Sequence, residues 1–346
     1  MRLFFLSLLV CLLAVACSPK TTATAVPDRA DKPNPGLVGP PPAPASAPKK
    51  MAQDTKKFAP TANDTSLLWR ITAPGLAESS YLFGTIHIIP EKDYFLPGTV
   101  VAAINESSNV VFEIDPREMQ NPAMMMSLLS KINMRGDTSL EDLLTAEQYT
   151  TVEEYFTESG LPFFLFKRMK PMFLSAMVGQ DMDAMGGLGG GSVSGGMKSY
   201  EMELTDIAKA AGKEISGLET IDFQLSIFDS IPYKAQATML YQTIEADVAG
   251  EGSDAQNQLD QMIAMYRRQA VAELARVITD EADGVSRFEE LLLTKRNENW
   301  VPVIKQATEN GAAGTSFYAV GAGHLGGARG VIALLRAEGL TVEPVY

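Results

Sequence analysis

The stretch that decides the reading of this chain is YLFGTIHIIP, Tyr81 to Pro90. An apolar run enters Gly84, and three positions later comes His87. The sequence holds 2 histidines. The other, His324, lies in FYAVGAGHLGG, residues 317–327, where an apolar run again enters a glycine, Gly321, three positions ahead of the histidine. Short apolar runs of this kind read as buried strands of an α/β sheet. Ligand sites in such sheets lie beyond the carboxyl ends of the strands. A glycine three residues before each histidine lets backbone approach closely there. The two strand ends are therefore expected to meet and form one site.

Working outward, LLWRIT, a turn at Pro74-Gly75 and SSYLFGTIH read as a hairpin. Pro97–Ser107 reads as a helix and Asn109–Ile114, NVVFEI, as a strand. The tail repeats the plan: a strand at Thr315–Val320, a helix at Val331–Glu338 closed by Gly339, and a strand at Leu340–Val345. Helical periodicity fills the interval, at Asn121–Lys131, Thr145–Ser159, Leu161–Gln180, Ser199–Ala211, Phe223–Ala249, Ala255–Thr279 and Gly284–Gln306. Pro232 should break the fifth of these near Ile231. Asp137-Thr138-Ser139 ahead of Glu141-Asp142 marks a helix start. A short strand, Glu214–Leu218, leads into Glu219. The prediction is an α/β domain over 66–346: a central mixed β-sheet with strand-helix-strand units at both ends and a large helical insertion or lid at about 119–310. Seven glycines in the twelve residues Met185–Gly196 predict a mobile loop. Twelve of the 17 methionines fall between Met119 and Met202. They read as helical core or as an adaptable apolar wall for a substrate.

The first 65 residues read differently. Arg2, the apolar Leu3–Leu13 and Ala14-Val15-Ala16 ahead of Cys17 predict a signal peptide over 1–16, too short to span a bilayer. Small residues before a cysteine resemble a bacterial lipobox, which would make Cys17 the lipidated residue. Ser18 after it resembles outer-membrane sorting. Secretion as a soluble periplasmic protein is the alternative. Ten of the 20 prolines lie between Pro19 and Pro60, so 17–65 reads as a disordered tether. A net charge of −13 disfavours nucleic acid as a partner.

The candidate chemistry sits at strand ends. Glu113, within NVVFEID, is a carboxylate in an apolar strand and must be paired or bound to be tolerated there. Asp115 shares its side by period two. Glu219 ends its own strand. Arg296, in KRNENW, could pair with Glu113 or stabilise an oxyanion. No HExxH, GxSxG or phosphate-binding P-loop pattern occurs.

YLFGTIHIIP, VVFEID, GKEISGLETIDFQL, RNENW and FYAVGAGHLGGARGVIALLRAEGLTVEPV, in this order, resemble the TraB/PrgY/GumN family, which is grouped with Tiki-type metalloproteases and, more distantly, with erythromycin-esterase and ChaN-like proteins. The resemblance covers about Leu67 to Tyr346. It implies a hydrolase for a peptide or small-molecule substrate, with His87, His324 and Glu113 as ligands of a divalent metal. Glu219 or Asp115 would serve as base or fourth ligand and Arg296 as oxyanion stabiliser. In the esterase-like relatives a histidine and a glutamate activate water without metal, and there His87 would be the base and Glu113 its orienting partner. A non-catalytic lipoprotein binding metal, haem or a signal peptide in the same pocket is the alternative.

Overall fold

The runs that enter Gly84 and Gly321 lie side by side at the centre of the sheet, buried on both faces. The computed structural model describes residues 55–76, 78–118, 127–128, 130–179, 196–280, 290–310 and 314–346. The main sheet comprises β1 (Leu68–Thr72), β2 (Ser80–Thr85), β4 (Asn109–Ile114), β6 (Glu214–Glu219), β7 (Ser316–Gly321) and β8 (Thr341–Pro344), in the order β6-β4-β7-β2-β1-β8. β6, β4, β7 and β2 pair in parallel. β1 is antiparallel to both β2 and β8, so the expected hairpin is present and the sheet is mixed. A separate ribbon joins β3 (Ile88–Pro90) to β5 (Met197–Ser199).

The two strand-helix-strand units are right as read. α1 (Gly98–Glu106) links β2 to β4, and a helix at Val331–Ala337 links β7 to β8. Because the four parallel strands share one direction, their carboxyl ends lie along one edge. Thr85 pairs with Gly321 and Ile114 with Glu219 there. β2 and β7 carry small and apolar side chains that helices cover from both sides, as parallel strands require. The edge strand β8 alternates buried and more exposed positions, and the other edge strand, β6, buries Ile215 and Leu218.

The interval between the strand units departs from the periodicity in three places. Leu161–Gln180 is not one helix. It holds a single 3₁₀ turn, Phe163–Leu165, and the short α3 (Pro171–Ser175), which follows α2 (Ala146–Glu158). Pro162 and Pro171 explain the break, since each removes a backbone donor and the residue before Pro171 is extended. The start at Asp137–Ser139 yields one 3₁₀ turn, Leu140–Asp142, boxed by Ser139 and Asp142. Ala255–Thr279 divides into α7 (Gly252–Arg267) and α8 (Val271–Asp280) at Gln269, whose φ is 56°. Gln269 N–H donates to Tyr266 O and Ala270 N–H to Met265 O, which closes α7. The Gln269 side chain accepts the Leu67 N–H at 3.1 Å, ahead of β1. The other helices agree with the reading: α4 (Tyr200–Ala210), α5 (Ile221–Asp229), then after Pro232 α6 (Tyr233–Ala246), and α10 (Val331–Ala337). Of the expected helix Gly284–Gln306, residues 284–289 lie outside the described residues, Glu290–Thr294 forms a π-helical turn and α9 (Lys295–Asn310) follows it. The expected helix over Asn121–Lys131 and the glycine-rich loop fall largely outside the described residues.

Two apolar cores result. One surrounds the sheet and takes in residues of α4, α7, α8, α9 and α10, among them Tyr200, Tyr266, Leu274 and Trp300. The other unites α2, α3, α5 and α6. The helical interval is therefore not a single block, because α4 and β6 return to the sheet. In the second core Lys170, with 2% of its side chain exposed, donates to Asp229 Oδ1 at 2.9 Å, and Asp229 also accepts from Tyr233 and Arg135. Removing one partner of a buried pair strands the other's charge. Asp229→Ala is expected to cost about 3 kcal/mol or more. Lys170→Met should cost clearly less, because Arg135 and Tyr233 remain on Asp229. Urea denaturation of both variants checks the order.

Candidate functional site

Four neighbouring strand ends each deliver one polar group to the same edge: Glu219 from β6, Glu113 from β4, His324 from the turn after β7, and His87 from the bend after β2. The 3₁₀ turn Ala322–His324 follows β7 directly. Gly84 permits this packing, because a Cβ there would lie 2.2 Å from Leu325 Cδ1 and 3.1 Å from Ala322 Cα. α9 closes the cluster by presenting Arg296, Asn297 and Trp300, all buried.

Arg296 is the hub, with 1% exposure. Its Nη2 donates to Glu113 Oε2 and, at 2.6 Å, to Glu219 Oε1. Nε donates to Glu219 Oε1 at 2.9 Å, and Nη1 to Leu292 O at 3.1 Å. The guanidinium carbon stands 4.8 Å from the Trp300 ring centre. Glu113 Oε1 accepts the Gly321 N–H at 2.7 Å. Burial opposes the Glu113 charge, but Arg296 and that backbone donor hold its carboxyl well below the usual range. Glu219 goes the other way. Burial, with Glu113 adjacent, outweighs Arg296 and raises it. Gln224 Nε2 reaches both carboxylates, at 3.4 and 3.2 Å.

His324 is packed 4.5 Å from Trp300, ring centre to ring centre. Its Nδ1 is 2.6 Å from Asn297 Oδ1, and Asn297 Nδ2 donates to Arg329 O at 2.9 Å, which fixes the amide orientation. Nδ1 therefore carries the proton and Nε2 the lone pair, 3.2 Å from Arg296 Nη1. Burial and the guanidinium push the imidazole down to about 3, so it is neutral at ordinary pH.

His87 is oriented differently. Its Nδ1 lies 2.9 Å from Glu201 Oε1, on the second residue of α4. Glu201 was not among the sequence candidates, and Glu113, the orienting partner the esterase-like relatives imply for His87, is bound to Arg296 instead. The Nε2 atom of His87 faces the gap over Gly321. A Cβ at Gly321 would be 3.3 Å from Glu113 Oε1, 3.6 Å from His324 Cδ2 and 3.9 Å from His87 Nε2. The three expected residues therefore surround one small space, which the missing side chain leaves open. Asp115 points elsewhere, into an ion pair with Arg117. Arg296, read as a partner for Glu113 or an oxyanion stabiliser, is fully enclosed and bound to Glu113. Cys17 lies outside the described residues.

The model of the TraB/PrgY/gumN family matches residues 67–344. The chain belongs to that family. It is 22% identical over 324 residues to metalloprotease TIKI2 of Danio rerio, covering 80% of this chain and 60% of the relative. It is 22% identical to metalloprotease TIKI1 of Danio rerio, covering 82% and 64%, and to TIKI1 of Homo sapiens, covering 80% and 61%. The chain thus spans about three fifths of the length of these curated relatives. No solved structure matches it.

The relatives' names imply a metal, and the donor set here does not fit one bridging all three residues. The lone pair of His324 Nε2 and the Oε2 atom of Glu113 both face Arg296. A cation bound at ~2 Å to each would stand beside a buried guanidinium and be repelled by it. Arg296 is anchored by Glu219, Leu292 O and Trp300, so it has no ready place to go. Among the described residues no group of three or more His, Cys, Asp or Glu is arranged to hold a metal ion.

The two glycines make opposite predictions. Gly84→Ala drives a Cβ into Leu325 and the Ala322 backbone and is expected to destabilise by about 1–3 kcal/mol. Gly321 has φ −55°, which alanine adopts freely. Gly321→Ala should fold with stability within ~1 kcal/mol of wild type yet fill the space between His87 and Glu113. Thermal melts read the first effect, and turnover measured beside the melts reads the second.

Proposed function

We propose that this chain is a hydrolase of the extracytoplasmic space that cleaves an amide or ester bond in a peptide or similar substrate, using water activated between His87 and Glu113. The observation that carries this is the gap over Gly321, lined by an imidazole nitrogen and an ionised carboxylate oxygen. A water there donates one proton to His87 Nε2 and the other hydrogen bond to Glu113 Oε1. As its oxygen attacks the scissile carbonyl, His87 takes the proton and later returns it to the leaving group. Arg296 keeps Glu113 ionised and supplies positive charge near the developing oxyanion. Glu219 holds Arg296 in place. His324, neutral and locked, walls the site and does not compete for the proton. The names of the Tiki relatives support the protease-like class.

Their names also favour a metal-dependent version, and one assay separates the two. Full-length protein is tested on peptide and ester panels with and without a chelator, beside His87→Ala and Glu113→Gln. Expected is turnover that survives chelation and falls about 10²–10⁴-fold in His87→Ala. Turnover abolished by chelation and restored by a divalent ion would establish the metal version. Equal turnover in His87→Ala would remove His87 from the reaction.

We further propose that the chain is tethered by lipid at Cys17 to the periplasmic face of the outer membrane. The sequence Ala14-Val15-Ala16-Cys17-Ser18 supports this, followed by a proline-rich spacer. No helix among the described residues is long and apolar enough to cross a membrane. Cys17→Ala should shift the protein from the membrane pellet to the soluble fraction of lysed cells. Retention in the pellet would rule out the anchor.

A further inference from the structure

Glu201 is the group that the sequence did not offer and the proposed reaction has not yet used. Its carboxylate has 15% of the side chain exposed, against 16% for His87, so the pair is largely shielded from water. An ionised carboxylate only accepts, so the hydrogen between His87 Nδ1 and Glu201 Oε1 belongs to the imidazole. Thr85 Oγ1 donates to the same oxygen at 2.8 Å, and Ser199 Oγ to Oε2 at 3.3 Å. Glu201 also stands in the first turn of α4, where the helix favours negative charge.

The supports of Glu201 are rigid. Ile88 pairs with Ser199 in the β3–β5 ribbon, so the residue after His87 is in register with the residue two before Glu201. Next to Glu201 on the helix, Tyr200 is fully buried, donates to Phe95 O at 2.5 Å and packs on Phe83, Tyr94 and Tyr266. The two histidines are thus both held through Nδ1, His324 by the Asn297 amide and His87 by the Glu201 carboxylate, and they differ again at Nε2. At His324 that atom faces a guanidinium, and at His87 it faces the gap over Gly321.

We propose that Glu201 is the positioning residue of the site: by accepting the His87 Nδ1 proton it fixes the tautomer whose Nε2 lone pair meets the attacking water. This rests on the reading of His87 as proton acceptor. Glu201 touches no substrate. It acts through His87, as the buried carboxylate of a serine-protease triad acts through its histidine.

The 2 histidines of the sequence make the test direct. Full-length protein labelled with ¹⁵N-histidine gives four ring-nitrogen signals, and His324→Gln assigns them. Wild type should show His87 with Nδ1 protonated and Nε2 bare. Glu201→Leu removes the acceptor, so the His87 signals should move toward a mixture of tautomers. Its kcat should fall about 10²–10⁴-fold while KM changes little. Glu201→Gln keeps an oxygen facing Thr85 and His87, so the tautomer should persist, and loss of the charge alone should lower kcat by less than Glu201→Leu does. His87 protonated on Nε2 in wild type, or an unchanged tautomer in a folded Glu201→Leu, overturns the inference whatever the activity. A changed tautomer with unchanged kcat instead overturns the role of His87, and the inference falls with it. If Glu201→Leu does not fold, Glu201→Gln decides: unchanged kcat in that variant overturns the proposal.

Discussion

The structure around the site depends on one buried cation. Arg296 sits between Glu113 and Glu219, and neither carboxylate could stay charged there without it. Taking any one of these charges out of water costs several kcal/mol, and only mutual pairing with full hydrogen bonding offsets that cost. The pairing is uneven. Glu113 has the Gly321 N–H as a further donor and stays ionised far below its ordinary range. Glu219 is raised by its burial, with the Glu113 charge beside it adding to the effect. One guanidinium therefore supports one firm anion and one reluctant one. The Trp300 N–H on Glu219 Oε2, at 3.1 Å, adds a bond from the same helix. Through these contacts α9 is pinned across β4, β6 and the turn after β7, which holds three of the four strand ends in one place.

The same cation sets the electrostatics of the histidines. Beside Arg296, a protonated His324 would face a like charge in a region shielded from water, so it stays neutral. Its Nε2 lone pair is directed at the guanidinium rather than at the gap. A metal at that nitrogen would meet the same repulsion. An arginine at the centre of two carboxylates and an imidazole does what a cation cofactor would do for the local charge balance, but without an open coordination position. In the proposed reaction that positive charge would serve a developing oxyanion, and the task of accepting a proton would fall to the histidine on the other side of the gap.

Much of this was legible in the sequence, and the gaps have physical causes. The strands could be read because burial on both faces demands unbroken apolar runs, as in Phe317–Val320. Gly84 and Gly321 stood out as the glycines closing apolar runs three residues before each histidine, and at Gly84 the packing of Leu325 and the Ala322 backbone leaves no room for a side chain. Glu113 was conspicuous as the one carboxylate inside such a run. Arg296 was half legible: its type suited a buried pair, but KRNENW looks as polar as a solvated face until the helix is placed. Glu201 was hidden twice over. It is 114 residues from His87 in sequence. An acid in a first helical turn also has a sufficient local explanation in the helix dipole. The one clue was Ser199 ahead of it in a short polar-apolar run after the glycines, and a three-residue strand carries too little periodicity to be read. Leu161–Gln180 misled for the opposite reason, because its apolar spacing is helical but Pro162 and Pro171 deny the backbone bonds.

The two Gly-x-x-His units look like copies, and their fates in the fold explain why two are needed. Gly84 is consumed by packing: the space where its side chain would be is filled by Leu325, from the turn that carries His324. Gly321 is not consumed, and the space beside it is where His87 and Glu113 come together. The first glycine therefore brings the second unit close, and the second glycine carries no side chain between His87 and Glu113. The histidines divide in the same way. His324 is bound on both nitrogens by α9 and becomes part of the wall. His87 is bound on Nδ1 by a helix from elsewhere in the chain. A repeat in sequence supplies symmetrical geometry, but a proton can move in one direction only if the two halves are unequal. Here the inequality comes from the partners, Arg296 on one side and Glu201 on the other, and neither belongs to the repeat.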